Sequence, residues 1–144
     1  MKDFVLTFVN KLEGYKTAVK SLHWNSKNLS QHKLCDDIAD RISDFQDQVS
    51  EVEQSISGNL PFNKLKGTPY TISNLKNFVN DVISETNKFY KEIQDKDDKY
   101  IGMRSDVESF LSDMQRNLCL VNFTLKENRI SKIIKEEIDK LLLS

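Results

Sequence analysis

What this chain has little of already narrows what it can be. It holds 4 glycines and 2 prolines in 144 residues, so helix breakers are scarce and long helices are expected. Histidine occurs only at His23 and His32, and cysteine only at Cys35 and Cys119. The cysteines form no CxxC, so they are expected as buried thiols in a reducing compartment rather than as a disulfide or zinc site. The net charge is −1, so no global field draws the chain to nucleic acid or to an anionic membrane. No apolar run approaches the roughly 20 residues of a membrane span. Met1 and Lys2 lead straight into Asp3 and an amphipathic pattern, which does not read as a signal peptide, and the expected location is the cytoplasm.

Helical periodicity fills the space that the breakers leave. The chain is 38% hydrophobic, enough for a real core, and its length suits one domain over residues 1–144. Apolar residues at steps of three and four predict helices over about 3–25, 31–57, 72–97, 104–126 and 129–142. In the first, Phe4, Phe8, Leu12, Tyr15, Val19 and Leu22 set the period, and Gly14 weakens the helix slightly. A short polar connection then returns the chain antiparallel, with Ser30 the expected cap of the second helix. Residues 58–71 hold four of the six breakers, Gly58, Pro61, Gly67 and Pro69, and are long enough to cross the length of a bundle, with one short turn at Phe62 to Lys66. Such a crossover makes the third helix parallel to the second. The segment Ser105-Asp106-Val107-Glu108 fits a capping box for the fourth helix. Asn128 is expected to break it, leaving a short fifth helix whose stripe, Ile130, Ile133, Ile134, Ile138, Leu141 and Leu142, docks on the bundle. The expected fold is all-α: a ferritin-like four-helix bundle with a long second crossover and an extra C-terminal helix.

The second helix carries the most informative pattern. Leu34, Ile38, Ile42, Phe45, Val49, Val52 and Ile56 form one narrow apolar stripe. His32 and Asp36 are one turn apart, as are Asp47 and Glu51, and the second pair follows the first by eleven residues, close to a whole number of turns. Both pairs therefore share the face opposite the stripe. They are roughly 16 Å apart along the axis, whereas bonds from His or carboxylate to a metal are only about 2 Å long. One helix cannot close both pairs around one ion. Two copies lying antiparallel on a two-fold axis can, because the first pair of one then meets the second pair of the other. Ala39, Ser43 and Ser50 on that side permit a close approach. His23, at the end of the first helix, falls beside His32 and Asp36. Two histidines with carboxylates suit Fe(II), with Zn or Mn able to substitute.

His23-Trp24, then His32-x-x-x-Asp36, then Asp47-x-x-x-Glu51 resemble the ferroxidase motif of the Dps-type miniferritins. The resemblance implies an iron site shared between subunits, with His23, His32 and Asp36 from one chain and Asp47 and Glu51 from its two-fold mate. It implies Fe(II) oxidation by peroxide or dioxygen, ferric iron stored inside a hollow homo-oligomer of twelve subunits, and a role in oxidative stress. Trp24, next to the site, is placed to take up a stray oxidising equivalent. The chain departs from the family where Val52 replaces the basic residue that often follows the glutamate. It also lacks a lysine-rich tail at either end, so no DNA binding is expected, since counterion release needs clustered cations. No Glu-x-x-His occurs, which argues against a di-iron centre inside one bundle. Two rival readings use the same helices: a ferritin-fold structural or assembly protein with an incomplete or non-iron site, and a helical adaptor that binds a partner helix through residues 130–142.

Overall fold

The computed structural model describes residues 1–59 and 61–144, Phe62 by its backbone alone; Leu60 in the expected crossover lies outside the described residues. Four α-helices make the fold: α1 (Asp3–Asn25), α2 (Leu29–Ser57), α3 (Leu75–Gln94) and α4 (Ile101–Leu143), with single 3-10 turns at Phe62–Lys64 and Asp98–Tyr100. The described residues contain no strand, and no described helix is long and apolar enough to cross a membrane.

Side-chain pairs fix the helix directions. Phe4 meets Phe89, Lys11 meets Glu85 and Tyr15 meets Phe78, so α1 and α3 run antiparallel. Glu53 meets Tyr100, Phe45 meets Phe110 and Arg41 meets Asp113, so α2 and α4 are antiparallel too. The three-residue connection Ser26 to Asn28 makes α1 and α2 antiparallel neighbours. It follows that α2 and α3 are parallel, as a long second connection requires.

The periodicity locates the core well. Phe8, Leu12, Tyr15 and Val19 of α1 are buried, as are Leu34, Ile38, Ile42, Phe45 and Val49 of α2. One aromatic ring from each helix joins across the centre. Phe89 stacks on Phe8 at 4.1 Å, Phe8 meets Phe45 edge-on at 5.8 Å, and Phe45 stacks on Phe110 at 4.0 Å. Each such pair adds about 0.5–1.5 kcal/mol beyond the area it buries. This relay ties all four helices at one level of the bundle.

Several expectations need correction. The cap of α2 is Asn28, whose Oδ1 accepts from the Gln31 N–H at 3.1 Å; Ser30 is already inside the helix. The third helix starts later, at Leu75, because Asn74 caps it by accepting from the Asn77 N–H. The fourth starts earlier, at Ile101, directly after the 3-10 turn that Asp97 caps, so the Ser105–Glu108 capping box lies within the helix and caps nothing. Cys35 is buried as expected, and burial pushes its thiol up to about 11, whereas Cys119 is exposed.

The largest correction concerns the end of the chain. Asn128 breaks nothing, and α4 is one helix of 43 residues. No glycine or proline follows Gly102, and an isolated asparagine costs a helix interior only a few tenths of a kcal/mol. From Leu125 onward every residue is exposed. Within the bundle, α4 turns Met103, Val107, Phe110, Met114 and Val121 inward. The later stripe through Ile130, Ile134, Ile138 and Leu141 lies about 150° round the same helix. A straight helix cannot present both faces to one bundle, so the stripe is left off its own core.

Gly14 also has a role that helix propensity does not reveal. The crossover lies along α1, held by Asn10: its Oδ1 accepts from the N–H groups of Lys66 and Gly67 at 3.0 Å, and its carbonyl accepts from the Thr68 N–H at 2.8 Å. A Cβ at Gly14 would stand 1.7 Å from the Thr68 carbonyl oxygen. Gly14 is the gap in α1 through which the crossover backbone makes contact.

Candidate metal site

Two of the proposed site residues come together tightly within one chain. His23 is in the last turn of α1 and His32 in the first turn of α2, and the short loop between them folds one ring onto the other. The rings stack with centroids 3.7 Å apart and planes 28° apart. Each ring is also tied to the other's backbone. His23 Nδ1 lies 3.0 Å from the His32 carbonyl oxygen, and His32 Nδ1 lies 2.9 Å from the His23 carbonyl oxygen. A carbonyl can only accept, so both Nδ1 atoms carry a proton. In the neutral rings that leaves both Nε2 atoms with a free lone pair, the state a metal or proton donor requires. The three-residue connection between α1 and α2 brings both rings together.

Asp36 lies one turn beyond His32. Its Oδ1 is 3.3 Å from His23 Nδ1, at the edge of the same pair, and its side chain is largely exposed. Trp24 follows His23 but turns to solvent, 75% exposed. Within one chain it therefore flanks the pair without covering it.

Asp47 and Glu51 are exposed further along α2. They share the outward face with Asp36 and Asp40, while Ala39, Ser43 and Ser50 at the margins of that face are half-buried. Eleven residues of helix place Asp47 about 16 Å from Asp36 along the axis. Asp47 lines a shallow groove with Gln46, Ser50, Leu65 and Lys66. Among the described residues, no group of three or more His, Cys, Asp or Glu converges on a possible metal position within the chain. The histidine end and the acidic end are thus two half-sets on one helix face, and any metal site built from both draws on a second chain.

The donor set can be tested for fit. Iron needs imidazole nitrogen with an available lone pair and carboxylate oxygen that is not buried in other bonds. Both Nε2 atoms meet the first condition through the Nδ1 commitments above. Asp36, Asp47 and Glu51, all exposed, meet the second. These donor types would suit iron or another first-row divalent metal, and closing a site from both ends of the face would need a second chain.

Glu53 is the polar residue that the sequence reading passed over. It sits on the buried flank of α2 and is fully buried. Its Oε1 accepts from the Lys2 N–H at 2.9 Å and from Ser57 Oγ at 2.8 Å, and its Oε2 accepts from the Tyr100 hydroxyl at 3.3 Å. Burial first, and then the facing Glu53 charge, push the Tyr100 phenol up to about 12. This carboxylate fastens the start of α1 and the start of α4 to the end of α2, at the opposite end of the bundle from the histidines. A signal was available: on the wheel, Glu53 falls in line with Cys35 and Ile42, inside the apolar arc.

On the outer side of α1, Gln46 donates to Glu13 at 2.8 Å and to the Val9 carbonyl at 3.2 Å, while Lys16 donates to both Glu13 and Gln46. The Gln46 bond and then Lys16 hold the Glu13 carboxyl below its usual value, against a partial burial cost. These groups lock α1 to α2 and keep the outward face of α2 in register with the histidine pair.

The fold and site together define an all-α four-helix bundle with a histidine pair at one corner and a row of carboxylates along one exposed helix face. No protein-family model, curated protein or solved structure matches the chain.

Proposed function

We propose that the chain is an iron-binding protein of miniferritin type, which oxidises Fe(II) at a site shared by two copies and holds the ferric product inside a larger hollow assembly. The observation that carries the reading is the histidine pair. Both rings are oriented by backbone carbonyls at Nδ1, which in the neutral ring leaves the lone pair on Nε2, and Asp36 stands beside them. Structural histidines need no such shared tautomer, whereas metal-ligating ones regularly have it imposed through the other ring nitrogen.

In this reading His23, His32 and Asp36 of one copy face Asp47 and Glu51 of the second, across antiparallel α2 helices. Bound Fe(II) supplies one electron per ion to the oxidant, two ions per peroxide. The imidazoles favour the ferrous substrate and the carboxylates the harder ferric product. Trp24, exposed at the rim of each half-site, is a local electron donor if oxidation goes astray. Antiparallel α1 and α2, antiparallel α2 and α4 and a long second connection support the ferritin-like part of this reading. Cys35 and Cys119 are both free thiols, which suits a reducing, cytoplasmic setting.

The test is anaerobic Fe(II) titration followed by peroxide, read by ultraviolet absorbance. Asp47→Ala with Glu51→Ala is expected to lower the oxidation rate at least about 100-fold, since loss of even an outer-shell partner costs about 10–100-fold. These two exposed positions carry no packing, so the thermal midpoint should stay within a few degrees. An unchanged rate rejects the activity.

One observation favours a second reading. The projecting part of α4 offers an apolar stripe that this chain does not cover, as an assembly or scaffold component would. In that case the helices and the α2 contact remain but iron turnover does not, and metal analysis of the purified protein separates the two.

A further inference from the structure

We propose that the cleft between α1, α3 and the crossover is a binding site for a small organic molecule carrying a primary ammonium group. The cleft measures about 260 Å³. Lys11 and Tyr15 of α1, Tyr70 of the crossover, and Asp81, Ser84 and Glu85 of α3 line it. Its volume is just under the roughly 300–1,000 Å³ of sites for drug-sized ligands, so the occupant is small.

A phenol without a partner opens onto this space. Tyr15 is only 4% exposed, and buried hydroxyls are normally hydrogen-bonded. Its ring is held edge-on by Tyr70 at 5.3 Å and by Phe78 at 5.8 Å. The acceptors nearby are already engaged elsewhere. Asp81 accepts from the Tyr70 hydroxyl, and Glu85 accepts from Lys11 at 2.7 Å and from Lys88 at 3.0 Å. Among the described residues the Tyr15 hydroxyl has no hydrogen-bond partner. Burial first, and then the neighbouring Glu85, Tyr70 and Asp81 groups, push this phenol up, so it stays protonated and neutral.

The walls are set before any ligand arrives. Asn10 pins the crossover at Lys66, Gly67 and Thr68, and the missing Cβ of Gly14 lets Thr68 lie against α1. Two residues on, Tyr70 is fastened to α3 through Asp81. A concave site that is already in place loses little freedom on binding.

Charge selects the occupant. Two lysines offset Glu85. Asp81 makes no ion pair among the described residues, and the Tyr70 hydroxyl engages only its Oδ2. An ammonium group donates to the other carboxylate oxygen in a charge-assisted bond and to the Tyr15 hydroxyl oxygen. Tyrosine rings attract a cation lying over their faces. An anion would meet two carboxylates. A metal ion would lack ligands, because no group of three or more His, Cys, Asp or Glu converges here among the described residues, and hard cations such as Ca²⁺ take about six to eight oxygens.

This site depends neither on the outward face of α2 nor on iron. The probe is n-propylammonium chloride at neutral pH, titrated into the full chain while the tyrosine ring resonances are followed by NMR. Saturable shifts at Tyr15 and Tyr70 are expected. Asp81→Asn, which keeps an acceptor for Tyr70, should weaken binding at least about tenfold. Tyr15→Phe removes only the unpartnered hydroxyl; it should weaken binding about fivefold and leave the thermal midpoint unchanged or raised. Sodium propionate and tetramethylammonium chloride, which lack the positive charge and the N–H donors respectively, should bind at least about tenfold more weakly. Shifts that do not saturate, an equal response to either control salt, or binding indifferent to both substitutions overturns the proposal.

Discussion

Gly14→Ala is expected to destabilise the protein by about 3 kcal/mol or more, even though alanine improves a helix interior by about 1 kcal/mol. The reason is contact, not propensity. The new methyl would sit 1.7 Å from the Thr68 carbonyl oxygen and 2.9 Å from its carbon. That oxygen follows directly on backbone pinned by Asn10 at the Lys66, Gly67 and Thr68 N–H groups, so it cannot swing away as a flexible side chain does. Relief requires the crossover to lift off α1. Lifting it also separates Tyr70 from Tyr15 and Phe78, which it meets at 5.3 and 5.6 Å. Thermal unfolding should drop by about 10 °C for a domain of this size. Gly102 supplies the contrast, because a Cβ there meets nothing within 4 Å. Gly102→Ala should be neutral or stabilising by up to about 1 kcal/mol. If Gly14→Ala matches Gly102→Ala in urea unfolding, the crossover does not pack on α1.

Glu53→Ala is the second large effect. Removing the carboxylate leaves a cavity beside the buried Tyr100 hydroxyl and takes the acceptor from the Lys2 N–H, while the exposed Ser57 hydroxyl can turn to water. A stranded buried donor costs about 1–3 kcal/mol and the cavity left by a fully buried side chain adds to it, so a total of about 3 kcal/mol is expected. The loss should fall on one end of the bundle first. Hydrogen exchange ought to speed up near Lys2 and Tyr100 while the histidine end stays protected. Glu53→Gln keeps an acceptor for the Lys2 N–H and should lose about half as much. Equal effects from the two substitutions would mean that packing, not hydrogen bonding, holds this corner.

Particular residues show why some features were legible in the sequence and others were not. The core stripe of α2 was readable because burial repeats with the helix, and Leu34, Ile38, Ile42, Phe45 and Val49 are all buried. The pairing of His23 with His32 was readable because a short polar loop must bring its two ends together. Their reciprocal backbone bonds were not, since no spacing rule encodes ring orientation. Gly14 looked like a weak point because its partner, Thr68, is 54 residues away, and only packing reveals such a contact. Asn128 looked like a boundary because a change of apolar face resembles the end of one helix and the start of another. Here the helix continues and the face changes within it. Helix starts shifted by two or three residues where Asn28 caps α2, where Asn74 caps α3 and where the 3-10 turn capped by Asp97 leads straight into α4.

The proposed shared site would also account for an otherwise uneconomical surface. Asp36, Asp40, Asp47 and Glu51 on one exposed helix face repel one another, and among the described residues no cluster in the chain binds a cation to relieve them. A second copy that contributes its histidine pair, together with bound metal, would offset that repulsion. The face would then be stabilised by association and by Fe(II) together, each strengthening the other.

Mixing two inactive variants tests the shared site most directly. One carries His23→Ala with His32→Ala, the other Asp47→Ala with Glu51→Ala. Each alone should oxidise Fe(II) no faster than buffer. Unfolded together and refolded as a mixture, half of the two-fold pairs are mixed, and each mixed pair regains one complete site of two. About a quarter of the wild-type rate should return. A mixture that stays inactive, or either variant retaining the wild-type rate alone, contradicts a site assembled from two chains.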